Sequence, residues 1–552
     1  MEIHIADDIP TYSGGLGVLA GDTVRSAADL AIPLIAVTLV HRQGYVRQRL
    51  DSQGNQSEAS APWSPAEVLE ELPARVSVEV QGRSVWIRGY RHEVRGARGD
   101  AVTIILLDAD LPENDLADRA LTDFLYGGDA QYRLGQEIIL GIGGVRLLRA
   151  LGYSEIERFH MNEGHAALLA LELLGERVRA RGGTSAEPRD IEDVRKLCVF
   201  TTHTPVAAGH DQFPLELARQ MVGRSELEGM PTTFLHQGAL NLTFLALNLS
   251  HYVNGVAKRH GEVSQHLYAN YRIEAITNGI HIATWAAPSF IALYDRYIPG
   301  WRVDNFSLRY ALQIPLPQIT AAHGAAKASL LEHIARTAHL ALDPAVLTLG
   351  FGRRATAYKR PALLLRDIER LRSIGSKGGP LQVVYAGKAH PRDDEGKQLI
   401  AEITRRGAAL GGHVRVVYLE NYDAQLARLM VSGVDVWLNT PRPPLEASGT
   451  SGMKAAVNGV PSLSVLDGWW LEGHVEGVTG WAIGRDGYTT GDGVDDGRDA
   501  EDLYAELERV IVPLFYERPD EFATVMRNAI ALTGSFFNTH RMLEQYVTHA
   551  YL

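Results

Sequence analysis

Short apolar runs alternate with stretches of helical periodicity through the second half of the chain. The runs fall at 345–351, 382–387, 414–419, 434–438 and 462–466, each followed by a turn or a helix. Runs of that length read as buried strands, and their alternation with helices predicts a parallel sheet covered on both faces. The first half repeats the pattern with larger insertions. Strands are predicted at Leu34–Val40, Val102–Leu107 and Leu197–Thr202, and helices at Val18–Leu30, Asp129–Leu151, Glu163–Arg181 and Leu240–Leu249. The stretch from Ala287 to Leu342 is mixed and carries Pro288, Pro299, Pro315 and Pro317, so the domain junction is placed there. The fold class is therefore α/β, with Rossmann-like domains over residues 1–300 and 301–535 facing each other across a cleft. The aromatic-rich tail, residues 536–552, is expected as an amphipathic helix packed back on the first domain.

Charge and composition narrow the classes. With 54 Lys and Arg against 66 Asp and Glu, the 552 residues carry a net −12, which repels a phosphate backbone and argues against a nucleic-acid partner. The N-terminus holds Asp7 and Asp8 and no apolar leader segment. The longest apolar stretch, Leu30–Val40, falls short of the roughly 20 residues a membrane span needs. A cytoplasmic protein with no membrane partner is expected. The single cysteine, Cys198, lies in an apolar run and reads as an inert buried thiol. Residues 484–499, rich in Gly and Asp, read as an exposed loop without calcium-loop spacing.

Candidate chemistry sits where predicted strands end. Glu446-Ala-Ser-Gly-Thr-Ser-Gly-Met-Lys454 follows the strand at 434–438 and opens a helix; small residues admit a ligand to the backbone, and a crowded lysine can form a Schiff base. On spacing alone the preferred reading is a helix-start turn with a surface lysine. Tyr12-Ser-Gly-Gly-Leu-Gly17 opens the first helix and serves as an anion cradle or as a tight turn. Four cations stand among the eight residues Arg353 to Arg360, an anion site against a surface charge run. Lys388 and His390 form a second basic turn. His160-Met-Asn-Glu-Gly-His165 lacks the i, i+4 spacing of a zinc helix, so no metal is assigned and a polar turn at a cleft is preferred. His203, just past a strand end, is a site candidate or a hydrogen-bonded structural histidine.

Together these stretches resemble the α-glucan phosphorylase family, the pyridoxal-phosphate-dependent enzymes of glycogen and maltodextrin breakdown. The carrying motifs are Tyr-Ser-Gly-Gly-Leu-Gly-Val-Leu-Ala-Gly-Asp22, Asn162-Glu-Gly-His165, Thr-His-Thr-Pro205, Asn278-Gly-Ile, Arg354-x4-Lys359, Glu446 through Lys454, and Leu466-Asp-Gly468. The resemblance implies the GT-B arrangement with the active site between the domains. It implies pyridoxal 5′-phosphate on Lys454, with Thr450, Gly452, Tyr422, Trp285 and Arg353 near the cofactor. Arg354 and Lys359 match the residues that bind the reacting phosphate, helped by Gly14, Gly15, Leu16 and Gly17. His203, Asn162, Glu163, His165, Asn278, Glu446, Ala447, Ser448 and Gly449 match positions that hold the sugar. Lys454, Arg354, Lys359 and His203 are the residues placed in catalysis. The implied reaction is retaining phosphorolysis of glycogen or maltodextrin ends to α-glucose 1-phosphate, by a homodimer.

The chain also departs from the family pattern. It is a short form, so allosteric control is expected to be absent. Asp423 stands where animal members carry a cation, and Ala355-Thr-Ala357 replaces a bulkier segment. Two rival readings remain. A nucleotide-sugar-dependent glucan synthase would carry a carboxylate eight residues after Glu446, where this chain has Lys454. A non-catalytic glucan-binding relic would be expected to lose Lys454, Arg354 or Lys359, and all three are present.

Overall fold

The computed structural model describes residues 1–205, 210–223, 231–484 and 495–552. Most of the Gly- and Asp-rich stretch expected as a loop, residues 485–494, lies outside them. The chain divides into two compact units: residues 1–46, 60–276 and 543–552, and residues 47–59 with 277–542. The division at Ile276 and Thr277, rather than at 300, moves Asn278 and Trp285 into the unit that holds Lys454.

In the first unit, Ile35–Leu39 pairs parallel with Ala101–Asp108, and the long hairpin Glu70–Val80 and Arg83–Arg95 extends that sheet antiparallel. A second sheet is wholly parallel, in the order Glu274–Ala275, Tyr252–Gly255, Cys198–Thr201, Phe159–Asn162. Side-chain alternation along Ala101–Asp108 feeds two apolar clusters. Ile105 and Leu107 join Leu134, Ile138, Leu171 and Phe200, whereas Ile104 and Leu106 join Ile3, Val24, Ala27 and Leu543. The tail 543–552 closes this unit: Tyr546 Oη lies 3.0 Å from Thr201 Oγ1, and Tyr551 Oη 2.7 Å from His160 Nδ1. Burial pushes the Cys198 thiol up to about 12, so it stays protonated and unreactive.

The second unit is built on six parallel strands in the order Val414–Leu419, Leu381–Ala386, Leu347–Gly352, Val436–Asn439, Ser462–Val465, Gly480–Ile483. Most of their residues are buried, as continuous apolar runs require. The last strand, Gly480–Ile483, is not among the runs predicted from sequence. Chain order reverses between Leu347–Gly352 and Val436–Asn439. That switch point leaves a crevice outside the carboxyl ends of the strands, where sheets of this kind take ligands. The proline-bearing stretch expected as a junction contains a 23-residue helix, Leu316–Ala338, with Pro315 at its N-cap and Pro317 in its first turn.

That helix is tied to the sheet by a buried charge cluster. Asp435 accepts from Lys327 Nζ at 2.6 Å, from the Thr348 amide at 2.8 Å and pairs with His323 Nε2 at 2.9 Å. Asp435→Ala would leave Lys327 as an uncompensated buried cation. We expect the second unit to lose roughly 3–5 kcal/mol, read as a lowered urea midpoint.

Candidate functional site

In the second unit, the loops on either side of the switch point supply one cluster of charges. Arg353 follows Gly352, the last residue of its strand, and reaches across the crevice to hydrogen-bond the Asn439 side chain at the end of the neighbouring strand. It also pairs with Glu446 Oε2 at 2.8 Å, and Lys359 Nζ donates to the same oxygen at 2.5 Å. All three side chains are at most 9% exposed. Burial alone would raise the Glu446 carboxyl; the two cations reverse that and hold it at about 2. Burial alone would likewise lower Arg353, and Glu446 keeps it above the usual range. Two cations thus share one carboxylate out of water. Arg354 points the other way: it is exposed, whereas its neighbour Arg353 is enclosed.

Lys454 lies in the short helix Ser451–Ala456, 7% exposed, with Nζ 3.9 Å from the centroid of the Trp285 ring. The ring face holds the ammonium by a cation–π contact. Asn458 fixes this geometry. Its side chain donates to the carbonyls of Trp285 and Lys454, both at 2.9 Å, and accepts from the Ala287 amide at 2.7 Å. Gly452, expected beside a cofactor, is a glycine for packing: a Cβ there would come within 2.8 Å of Trp469 and 2.9 Å of Ser462 Oγ. Gly352 leaves room for Tyr422, whose Oη would lie 2.9 Å from an added Cβ.

The segment 446–450 is cradled by the loop after Ser462–Val465. The Glu446 amide donates to Asp467 Oδ2 at 2.9 Å, and the Trp469 amide to the Ser448 carbonyl at 3.0 Å. Gly468 has φ +55, and a Cβ there would strike the Ser448 carbonyl. Gly449 has φ +83 beside the Glu446 side chain, while Ala447 and Thr450 are half-buried. The buried oxygens of this unit without a hydrogen-bond partner among the described residues include Asn278 Oδ1 and Ser448 Oγ. Such groups are rare without a ligand or water to satisfy them.

In the first unit, Glu163 organises the expected sugar-side residues. It sits at φ 74, a conformation uncommon outside glycine. Its carboxylate accepts from the amides of Gly164 at 3.0 Å and His203 at 2.8 Å, and from Thr204 Oγ1 at 3.0 Å. His203 Nε2 lies 2.6 Å from Asn162 Oδ1, and burial lowers its imidazole to about 3, so the ring is neutral. A neutral ring bonded to the Asn162 carbonyl oxygen carries its proton on Nε2. His165 is spent elsewhere. Its Nδ1 is 2.7 Å from Arg133 Nη2 and 3.0 Å from Asp211 Oδ2, beside the buried Glu137. Glu137, His165 and Asp211 converge, and the Arg133 guanidinium stands among them. Gly14 also differs from expectation, since its amide donates to Glu2 Oε2 at 3.2 Å, alongside that of Ser13 at 2.5 Å. Nothing lies within 4 Å of a Cβ placed at Gly14 or Gly15, whereas Gly17 is packed against Tyr12 and Glu2.

Comparison with known proteins gives this geometry a lineage. A family model described as carbohydrate phosphorylase matches residues 224–477. The maltodextrin phosphorylase of Thermococcus litoralis is 39% identical over an alignment covering all of this chain and 70% of that protein. The chain belongs to the carbohydrate phosphorylase family. The glycogen phosphorylase of Aquifex aeolicus is 37% identical, with 98% of this chain and 83% of that protein covered. An uncharacterized protein from Methanocaldococcus jannaschii is 31% identical over an alignment covering all of this chain and 98% of that protein. The family match takes in Asn278, Trp285, the Arg353–Lys359 loop, Glu446–Lys454 and Asp467. Asn458 and Asp467 were not singled out as site residues from sequence. Their signal is weak: one asparagine follows a helix, and one aspartate stands in a Leu-Asp-Gly turn.

Asp467 titrates unlike its neighbour. Burial, and after it the Glu446 charge, pushes its carboxyl up to about 7. A folded pKa above the roughly 3.9 of a free aspartate means that protonation favours the fold. The stabilisation is complete below about pH 4 and is lost as pH rises through about 7. Asp467→Asn removes the titration. The Tm difference, variant minus parent, should grow from pH 4 to pH 7 and level above it; a flat difference would refute this.

Proposed function

We propose that this chain is an α-1,4-glucan phosphorylase that holds pyridoxal 5′-phosphate on Lys454 and converts glycogen or maltodextrin ends, with inorganic phosphate, to α-glucose 1-phosphate. The observation that carries the reading is the switch-point crevice of the second unit. There a buried lysine amine stands on an indole face, and two cations share a single carboxylate. The fold that this reading calls for is of the GT-B type.

The residues fit the cofactor. An amine held on the Trp285 ring, with Asn458 tying the Trp285 and Lys454 backbones together, is oriented and buried, which favours its reaction with a carbonyl. Arg353, Tyr422, Thr450 and the start of the Lys454 helix would hold the rest of the group. When bound, the cofactor supplies a phosphate able to exchange a proton with the reacting phosphate.

This chain's own residues do the remaining work. Arg354, whose side chain is exposed, and Lys359 would bind the reacting phosphate. Lys359 already pairs with Glu446, which holds it in place. The unpartnered oxygens of Asn278 and Ser448, with the ionised Glu446, offer acceptors for sugar hydroxyls. His203, neutral and oriented by Asn162 and Glu163, offers a hydrogen bond on the sugar side without adding charge. As the glycosidic C1–O bond breaks, the substrate phosphate gives its proton to the leaving oxygen. One of its own oxygens then takes C1 on the same face. Retention therefore needs no pair of protein carboxylates. Clustered cations stabilise the phosphate as its charge rises. A homodimer belongs to the same proposal and is read by light scattering.

Two measurements test the reading. Borohydride reduction followed by peptide mapping should place a pyridoxyl adduct on Lys454, and Lys454→Ala should lose both adduct and activity; no adduct on the parent would sink the proposal. Arg354→Ala should lower kcat/KM for phosphate by about 100-fold or more and keep the adduct. Loss of the adduct instead would reassign Arg354 to the cofactor.

A further inference from the structure

A hairpin from early in the sequence clamps the loops that carry the second unit's cations. Arg47–Leu50 and Gln56–Ala59 pair antiparallel and belong to the second unit, although the chain on both sides of them belongs to the first. Gln48, 1% exposed, satisfies every polar atom of its side chain. Its Nε2 donates to the Gly387 carbonyl at 2.9 Å and to Gln56 Oε1 at 2.7 Å, and its Oε1 accepts from the Asn421 amide at 2.8 Å. Its own amide donates to Asn421 Oδ1 at 3.3 Å. Gln56 repeats the device two residues further along the loop, donating to the Ala389 carbonyl at 2.9 Å and accepting from the Ala389 amide at 3.0 Å. Leu50 packs with Ala355, Ala389 and Ile400.

These contacts reach three loops, each at the carboxyl end of a strand: after Gly352, after Ala386 and after Leu419. None of them is a ligand contact, but each loop carries a group that is charged or faces the crevice. Asn421, held at φ 58, precedes Tyr422, whose ring lies against Gly352. Gly387 is so close to the Arg353 carbonyl that an added Cβ would lie 1.9 Å from it. The Ala355 amide donates to the Lys388 carbonyl at 3.1 Å. A displacement at Gly387 is therefore felt at Arg353 and Arg354 without an intervening flexible side chain.

We propose that Gln48 is a positioning residue for the anion site: its side-chain amide locks the loops at Gly387 and Asn421 together and so sets the Arg353–Arg354 backbone. This rests on the reading of that site as phosphate-binding. The test compares Gln48→Ala with the parent enzyme in KM for phosphate, KM for maltodextrin, and calorimetric titration of inorganic phosphate. Asn55→Ala is the control, because it breaks the 2.8 Å bond to Asp51 in the hairpin turn and leaves the side-chain contacts of Gln48 and Gln56 in place. Gln48→Ala should weaken phosphate in both measurements by about tenfold, leave the maltodextrin KM within about twofold, and lower Tm no more than the control. Should the alanine variant not fold, Gln48→Glu decides, since it keeps the acceptor for Asn421 and removes the donor to Gly387. Equal loss for both substrates, or phosphate values within about twofold of the parent, overturns the assignment. A parent that neither binds nor consumes phosphate overturns the phosphorylase reading, and this assignment with it.

Discussion

The second unit depends on one carboxylate. Glu446 is buried between Arg353 and Lys359, and without it two buried cations of one loop would stand together uncompensated. With it, the trio still carries one more positive than negative charge. In a low-dielectric setting that excess is costly unless an anion arrives, so the arrangement is stable enough to fold and incomplete enough to bind. Lys359 and Arg353 come from the loop after one strand, Glu446 from the loop after its neighbour across the switch point. The strand order of the sheet is what brings them together.

Much of this was legible in the sequence because it follows from local rules. Five of the six strands in the second sheet announce themselves as apolar runs, and the glycine-rich turn before Lys454 marks a helix start. What the sequence could not show is which partners each side chain would choose. His165 and Gly14 stand in the quoted motifs just as Asn162 and Gly15 do, yet His165 is drawn into the Arg133–Asp211 network and the Gly14 amide onto Glu2. Both choices depend on residues far away in sequence. Proline content is ambiguous for a related reason: it suggests a linker over 287–342, whereas Pro315 and Pro317 start the long helix that Lys327 fastens to the sheet.

Backbone strain in the first unit supports the same division of labour. Glu163 holds a positive φ although it is not glycine, and its carboxylate satisfies donors on two different loops. A strained residue persists where its surroundings over-determine it. Here the return is a neutral histidine held against Asn162 with its ring proton assigned.

The course of the chain bears on how this protein can be taken apart. The polypeptide passes between the two units four times, at residues 46/47, 59/60, 276/277 and 542/543. A single cut anywhere between residues 60 and 542 leaves each fragment without a piece of its own unit: the leading part lacks the closing helix, and the trailing part lacks the hairpin. Truncation libraries and fusion designs built on the midpoint of the sequence would therefore yield two incomplete cores. A fragment that folds alone would have to be a rewired chain, with residues 47–59 joined by a linker to 277–542.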